Sequence, residues 1–176
     1  MGIWRRFKRD KRGVAAVEFA LIAPAMILLY FGVAELCQAI IADRKASHVA
    51  SSVGDLVAQT DKVVSSDLSD IFGLGATVMA PFPTGTLQMR LTSVTANASG
   101  TPKVDWSVGY NGFGALAKGG TVVMPMTMVS GDSYVMAESQ YRYTSAVQYV
   151  VPNALTFSHA YYLRPRRSSQ VTCSDC

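Results

Sequence analysis

Glu18 is the first residue whose placement asks for an explanation. It is the single charge in the 21 residues from Val14 to Ala34, an otherwise apolar run. A charged side chain at the centre of a bilayer costs roughly 2.5–3.5 kcal/mol or more, so such a residue is usually kept for a purpose. The other groups with chemical potential are fewer and weaker. Cys173 and Cys176, in "CSDC", have the spacing of a redox pair, but a thioredoxin-like role needs a βαβ context that the surrounding pattern does not offer. A local disulfide is the expectation there, with a crosslink between subunits as the alternative in an oxidising compartment. "GFGALA", Gly112–Ala117, has the letters of a phosphate loop; only six positions separate Gly114 from Gly120, too few for the helix that loop requires, so it reads as a plain turn. His48 and His159 have no ligand or base at useful spacing, and no nucleophile elbow, Walker loop or H-E-x-x-H is present. The pattern points away from an enzyme, and no cofactor or metal is expected.

Charge is distributed unevenly. Arg5, Arg6, Lys8, Arg9, Lys11 and Arg12 face only Asp10 in residues 1–13, a local net of +5. The rest holds ten Lys/Arg and eleven Asp/Glu, a net of −1, so the overall +4 signals no nucleic-acid face. A basic cluster beside an apolar run stays cytoplasmic and directs the chain beyond that run outward.

As a helix, Val14–Ala34 rises about 31 Å, matching a hydrocarbon core of ~30 Å. Pro24 removes one backbone donor and is expected to loosen it. Beyond Ala34 the polar residues Glu35, Gln38, Asp43, Arg44, Lys45, His48 and Asp55 interleave with Leu36, Ile40, Ile41, Val49, Val53, Leu56 and Val57, which predicts an amphipathic continuation to about Gln59. Glu35 itself reads as the outer edge of the membrane rather than a packing residue. The apolar run is too long for an ordinary secretory signal, and Arg6 stands where myristoylation wants Ser or Thr.

Downstream, a short helix is predicted with Ser66 or Asp67 at its N-cap and Leu68, Ile71, Phe72 and Leu74 as its apolar stripe. Period-two alternation then marks strands at Thr86–Thr92 and Val104–Tyr110, with a third candidate at Thr121–Val129 weakened by Pro125. Ser133–Val151 predicts one long or two short strands, and "PNALTFSHAYYL" stays ambiguous. The sum is an α+β plan: a long N-terminal helix, its first half transmembrane, packed on a small antiparallel sheet. Its segments are a basic leader at 1–13, the helix at 14–60 with the span at 14–36, a connecting loop and short helix at 61–85, the β domain at 86–164 and a basic, Cys-containing tail at 165–176.

Basic leader, Gly13, then an apolar helix with glutamate at its fifth position resembles the class III prepilin signature of type IV pilins. "RGVAAVEFALIAPAMILLYFGVAEL" resembles more narrowly the TadE-like pseudopilins of tight-adherence (Flp) pilus systems, and "YRYTSAVQYVVPNALTFSHAYYLRPRRSSQVTC" is similar to the end of those proteins. The resemblance implies a pilin-like fold and a minor pilin, cut between Gly13 and Val14 by a prepilin peptidase on the cytoplasmic face. Its implied partners are that peptidase, other pilins and pseudopilins through the N-terminal helix, the inner-membrane assembly platform and the lipid bilayer; its implied place is the bacterial inner membrane, with the C-terminal domain periplasmic. Glycine lacks a Cβ, so extended backbone can enter a narrow groove. Cleavage would free an α-amine on Val14, one helical turn from Glu18. Between neighbouring copies, that amine and the carboxylate can pair and set register. The alternative is an uncleaved, single-pass anchor carrying a periplasmic binding module of an envelope assembly machine.

Overall fold

The computed structural model describes residues 13–176, so the six leader cations lie outside the described residues. Helix α1 runs unbroken from Val14 to Ala58, through Pro24. Only its second half is amphipathic in the sense that matters for packing. Gly32, Glu35, Ala39, Ala42, Ala46, Val49, Ala50, Val53, Gly54, Val57 and Ala58 recur every three or four positions and form its buried face. Most are small, which lets the helix axis come close to a sheet.

Beyond the helix, the two-residue strands β1, Lys62–Val63, and β6, Thr172–Cys173, pair in parallel. Between them lie β2, Leu87–Ala96, β3, Pro102–Tyr110, β4, Ser133–Tyr143, and β5, Leu155–Leu163. These four form the antiparallel sheet against α1, in the order β3-β2-β4-β5. Leu87, Met89 and Leu91 of β2 join Val135, Ala137, Tyr141 and Tyr143 of β4 in the core beneath α1. Helix α2, Ser65–Val78, closes the same core with Leu68 and Phe72, the latter stacked on Tyr110 with ring centroids 5.4 Å apart. A second, smaller cluster lies apart from it: Val94, Ala96, Tyr134 and Met128, flanked by Met124, Met126 and Tyr162.

The structure confirms the α+β plan of a long helix on a small antiparallel sheet. Several local expectations need correction. Thr121–Val129 is not a strand; Thr121 makes an isolated bridge to Lys103 and the remainder drapes as a loop that buries Met128. "PNALTFSHAYYL" gives β5, paired along its whole length with β4. The β2–β3 register shifts between Ser93 and Val94, and this bulge breaks the alternation between Val104 and Trp106. Helix α2 begins at Ser65, with Val64 rather than Ser66 or Asp67 at its N-cap, and the N–H groups at this end find acceptors: Asp67 takes that of Val64 and Asp175, from the far end of the chain, takes that of Ser65 at 2.9 Å. Its stripe turns through Leu68, Phe72 and Gly75, leaving Leu74 exposed. Gly75 has to be small there: a Cβ would lie 2.7 Å from Val53 Cγ1.

Candidate functional site

The two halves of α1 behave as different surfaces. From Val14 to Phe31 nearly every side chain is exposed, with Phe19 at 73%, Leu21 at 75% and Tyr30 at 70%. Such a length of bare aliphatic and aromatic surface is unstable in water and requires lipid or other helices around it. It is long and apolar enough to cross a membrane. Glu18 sits on this bare half, exposed, and among the described residues no cation stands within 4.0 Å of it. Gly13 directly precedes the helix, and a Cβ added there would meet nothing within 4 Å. The fold itself therefore does not require glycine at this position.

From Gly32 onward the helix is seated on the domain and pinned by polar contacts along its length. The Glu35 carboxylate accepts the backbone N–H of Val150 at 2.6 Å and of Val151 at 3.3 Å. His159 Nε2 lies 2.8 Å from Asp43, and Ser47 shares a hydrogen bond with the Tyr161 hydroxyl at 2.7 Å. Ser139 Oγ donates to the Ala46 carbonyl at 2.7 Å, and Lys45 Nζ to that of Val78 at 3.1 Å. Glu35 is thus a packing residue, buried and bonded to the domain, which corrects the expectation that it does not pack. The sequence could not show this, because its partners lie 115 and 116 residues away.

The basic segment after β5 is part of the same seam. Arg164 donates to the Tyr134 hydroxyl and to Asp132, stacking over the Tyr134 ring at 5.2 Å. Arg166 pairs through its guanidinium with Asp55, and its N–H caps the Ala58 carbonyl at the end of α1 at 2.8 Å. A cation at a helix C-terminus also complements the helix dipole. Further on, the Val171 carbonyl accepts from Trp106 Nε1 at 2.8 Å. The tail is therefore a strap across the base of the domain.

No chemistry assembles elsewhere among the described residues. Cys173 and Cys176 are joined as a disulfide, and Asp175 between them is engaged by Ser65, so these three close neighbours are not free donors for a metal. "GFGALA" is irregular, and its Gly114 carbonyl receives Arg90, whose other donors form a two-pronged pair with Glu138 at 2.6 and 2.9 Å. That loop is a structural lid on β2 rather than a phosphate cradle. Burial raises the Tyr141 phenol above its ordinary value, and burial followed by the Glu138 charge does the same for Tyr162, so neither is poised as a base near neutrality.

A bare apolar half-helix, long enough to cross a membrane, is thus continuous with a seated half that carries a small antiparallel sheet. Residues 13–54 match the family model of TadE-like proteins, in keeping with the resemblance seen in the sequence. The match begins at Gly13 and ends within the seated half of α1, so it takes in both surfaces of the helix. No curated protein and no solved structure matches the chain.

Proposed function

We propose that the chain is a minor pilin, or pseudopilin, of a Tad/Flp-type pilus, cleaved between Gly13 and Val14 and acting in pilus assembly or priming and in surface adhesion. The observation that carries this reading is the division of α1, with a TadE-like match across it: one half is bare and apolar, the other locked to a domain. A helix built this way moves from lipid into contact with other helices without changing its own fold. The TadE-like match also supports a structural rather than catalytic role.

In this reading the leader orients the span with its basic end in the cytoplasm, a prepilin peptidase removes it, and the new Val14 amine becomes a partner for Glu18, which has no cation beside it among the described residues. Neighbouring copies or other pilins supply that amine, and the pair sets axial register as apolar helices pack. Before assembly the subunit rests in the inner membrane with the sheet domain on the periplasmic side, beside the assembly platform. A domain of over a hundred residues after the helix suits an accessory subunit better than a Flp-type major pilin, which is a helix with a short tail.

The test is made in the native host. Glu18→Ala is expected to be processed normally yet to lower surface pili severalfold, measured in sheared fractions. Undiminished piliation would remove the register role. If Gly13→Arg also shifts the molecular mass of the isolated protein by no more than the substitution itself, the uncleaved anchor with a periplasmic binding module becomes the better reading.

A further inference from the structure

The β4–β5 loop, residues 144–154, is the part of the domain that meets α1 where its bare half ends. Val150 packs on Gly32 so closely that a Cβ on the glycine would lie 3.0 Å from Val150 Cγ2, and Glu35 holds the Val150 and Val151 N–H groups. The bare segment Val14–Phe31 rises about 27 Å as a helix, close to a hydrocarbon core of ~30 Å. The loop is therefore held at the level where the helix leaves the bilayer. Its composition fits that level. Val147, Tyr149 and Val150 are 53%, 55% and 45% exposed, and Tyr143–Leu163 contains no Asp, Glu, Lys or Arg. A water-facing loop of this length ordinarily carries charge. Tyr30 and Phe31, in edge-to-face contact at 5.6 Å, place aromatic rings on the helix immediately before Gly32, and Tyr149 adds another one residue from the Gly32 contact. Aromatic rings gather at the membrane–water boundary, where an apolar body and a polar tip are both satisfied.

We propose that this loop is a membrane-contacting foot, which seats Val147, Tyr149 and Val150 in the lipid interface on the side where α1 emerges. The occupant is the bilayer surface, because the exposed side chains continue the apolar surface of the spanning helix and present no charge for a polar partner. The foot fixes how the sheet domain stands on the membrane before assembly. It rests on the reading of α1 as a membrane span.

The experiment uses the whole chain with Cys37→Ser, reconstituted in phosphatidylethanolamine–phosphatidylglycerol vesicles. A nitroxide is attached to Val147→Cys or Tyr149→Cys, with Leu28→Cys as the lipid reference and Val123→Cys, on the far loop and 92% exposed, as the aqueous one. Power saturation then compares access by oxygen, which partitions into lipid, with access by a water-soluble nickel chelate. The foot gives an oxygen-to-nickel ratio at 147 and 149 severalfold above that at 123. A ratio equal to that at 123 overturns the proposal. Exclusion of both reagents, relieved on diluting protein in lipid, overturns it in favour of a second copy covering the loop. An aqueous reading at Leu28 itself overturns the span, and the foot with it.

Discussion

Gly54 of α1 and Leu163 of β5 lie so close that a Cβ on the glycine would sit 2.6 Å from Leu163 Cδ1, and 2.7 Å from the Ala137 Cβ beside it. Leucine can swing aside, but the alanine methyl is fixed to the strand, so the helix–sheet spacing is set at this point. Gly54→Val is expected to destabilise the chain by about 1–3 kcal/mol through overpacking. Gly73, on the open face of α2 with nothing within 4 Å of an added Cβ, is the control. Gly73→Ala should stabilise by about 0.5–1 kcal/mol, because alanine loses less backbone freedom in a helix. Denaturant unfolding of the whole chain in detergent, followed by Trp106 fluorescence in a Trp4→Phe background, measures both.

Arg90 and Glu138 join adjacent strands through two parallel hydrogen bonds, with the Arg90 guanidinium 4.4 Å from the Phe113 ring. Both side chains are largely shielded, so their coupling should exceed that of an exposed pair. A double-mutant cycle with Arg90→Ala and Glu138→Ala is expected to give about 1–3 kcal/mol. A coupling near zero would show the pair to be solvated.

Closing a four-residue loop removes little entropy from the unfolded chain. Cys173→Ser with Cys176→Ser is therefore expected to cost at most about 2 kcal/mol. The wild-type chain should migrate as a monomer on a non-reducing gel, two hydrogens lighter than its reduced form. A dimer that persists in Cys37→Ser and collapses with reductant would mean that Cys173 and Cys176 bridge subunits instead.

Glu35→Ala removes the acceptor for two backbone N–H groups and leaves the rest of the seam in place. Hydrogen exchange at Val150 and Val151 is expected to speed up by more than tenfold, with the β2–β4 amides unchanged. Unaltered exchange would mean that the loop is held by Val150 and Gly32 alone.

The long helix was legible in the sequence because an apolar run of membrane length and a polar–apolar continuation are both local patterns. The β2–β3 pair was legible from its alternation, until the bulge near Asp105 interrupted it. Strand β5 was not, because it lies at the sheet edge, where Leu155 and Tyr161 on its helix-facing side remain more than a third exposed and His159 interrupts the apolar series on that side. The packing of Glu35 and the contacts of Arg164 and Arg166 were not legible, for one common reason. Each finds its partner across the fold, on residues 30 to 116 positions distant. Gly13 and Glu18 are the reverse case. Their spacing is plain in the sequence, while among the described residues Gly13 touches nothing that demands glycine and Glu18 has no partner.

Cleavage at Gly13 is the event on which the fibre-subunit role depends, and N-terminal sequencing of protein isolated from its native host reads it directly. The expected first cycles are Val-Ala-Ala-Val-Glu, starting at Val14. A sequence beginning upstream, with the basic segment retained, would contradict processing and leave a tethered domain in its place.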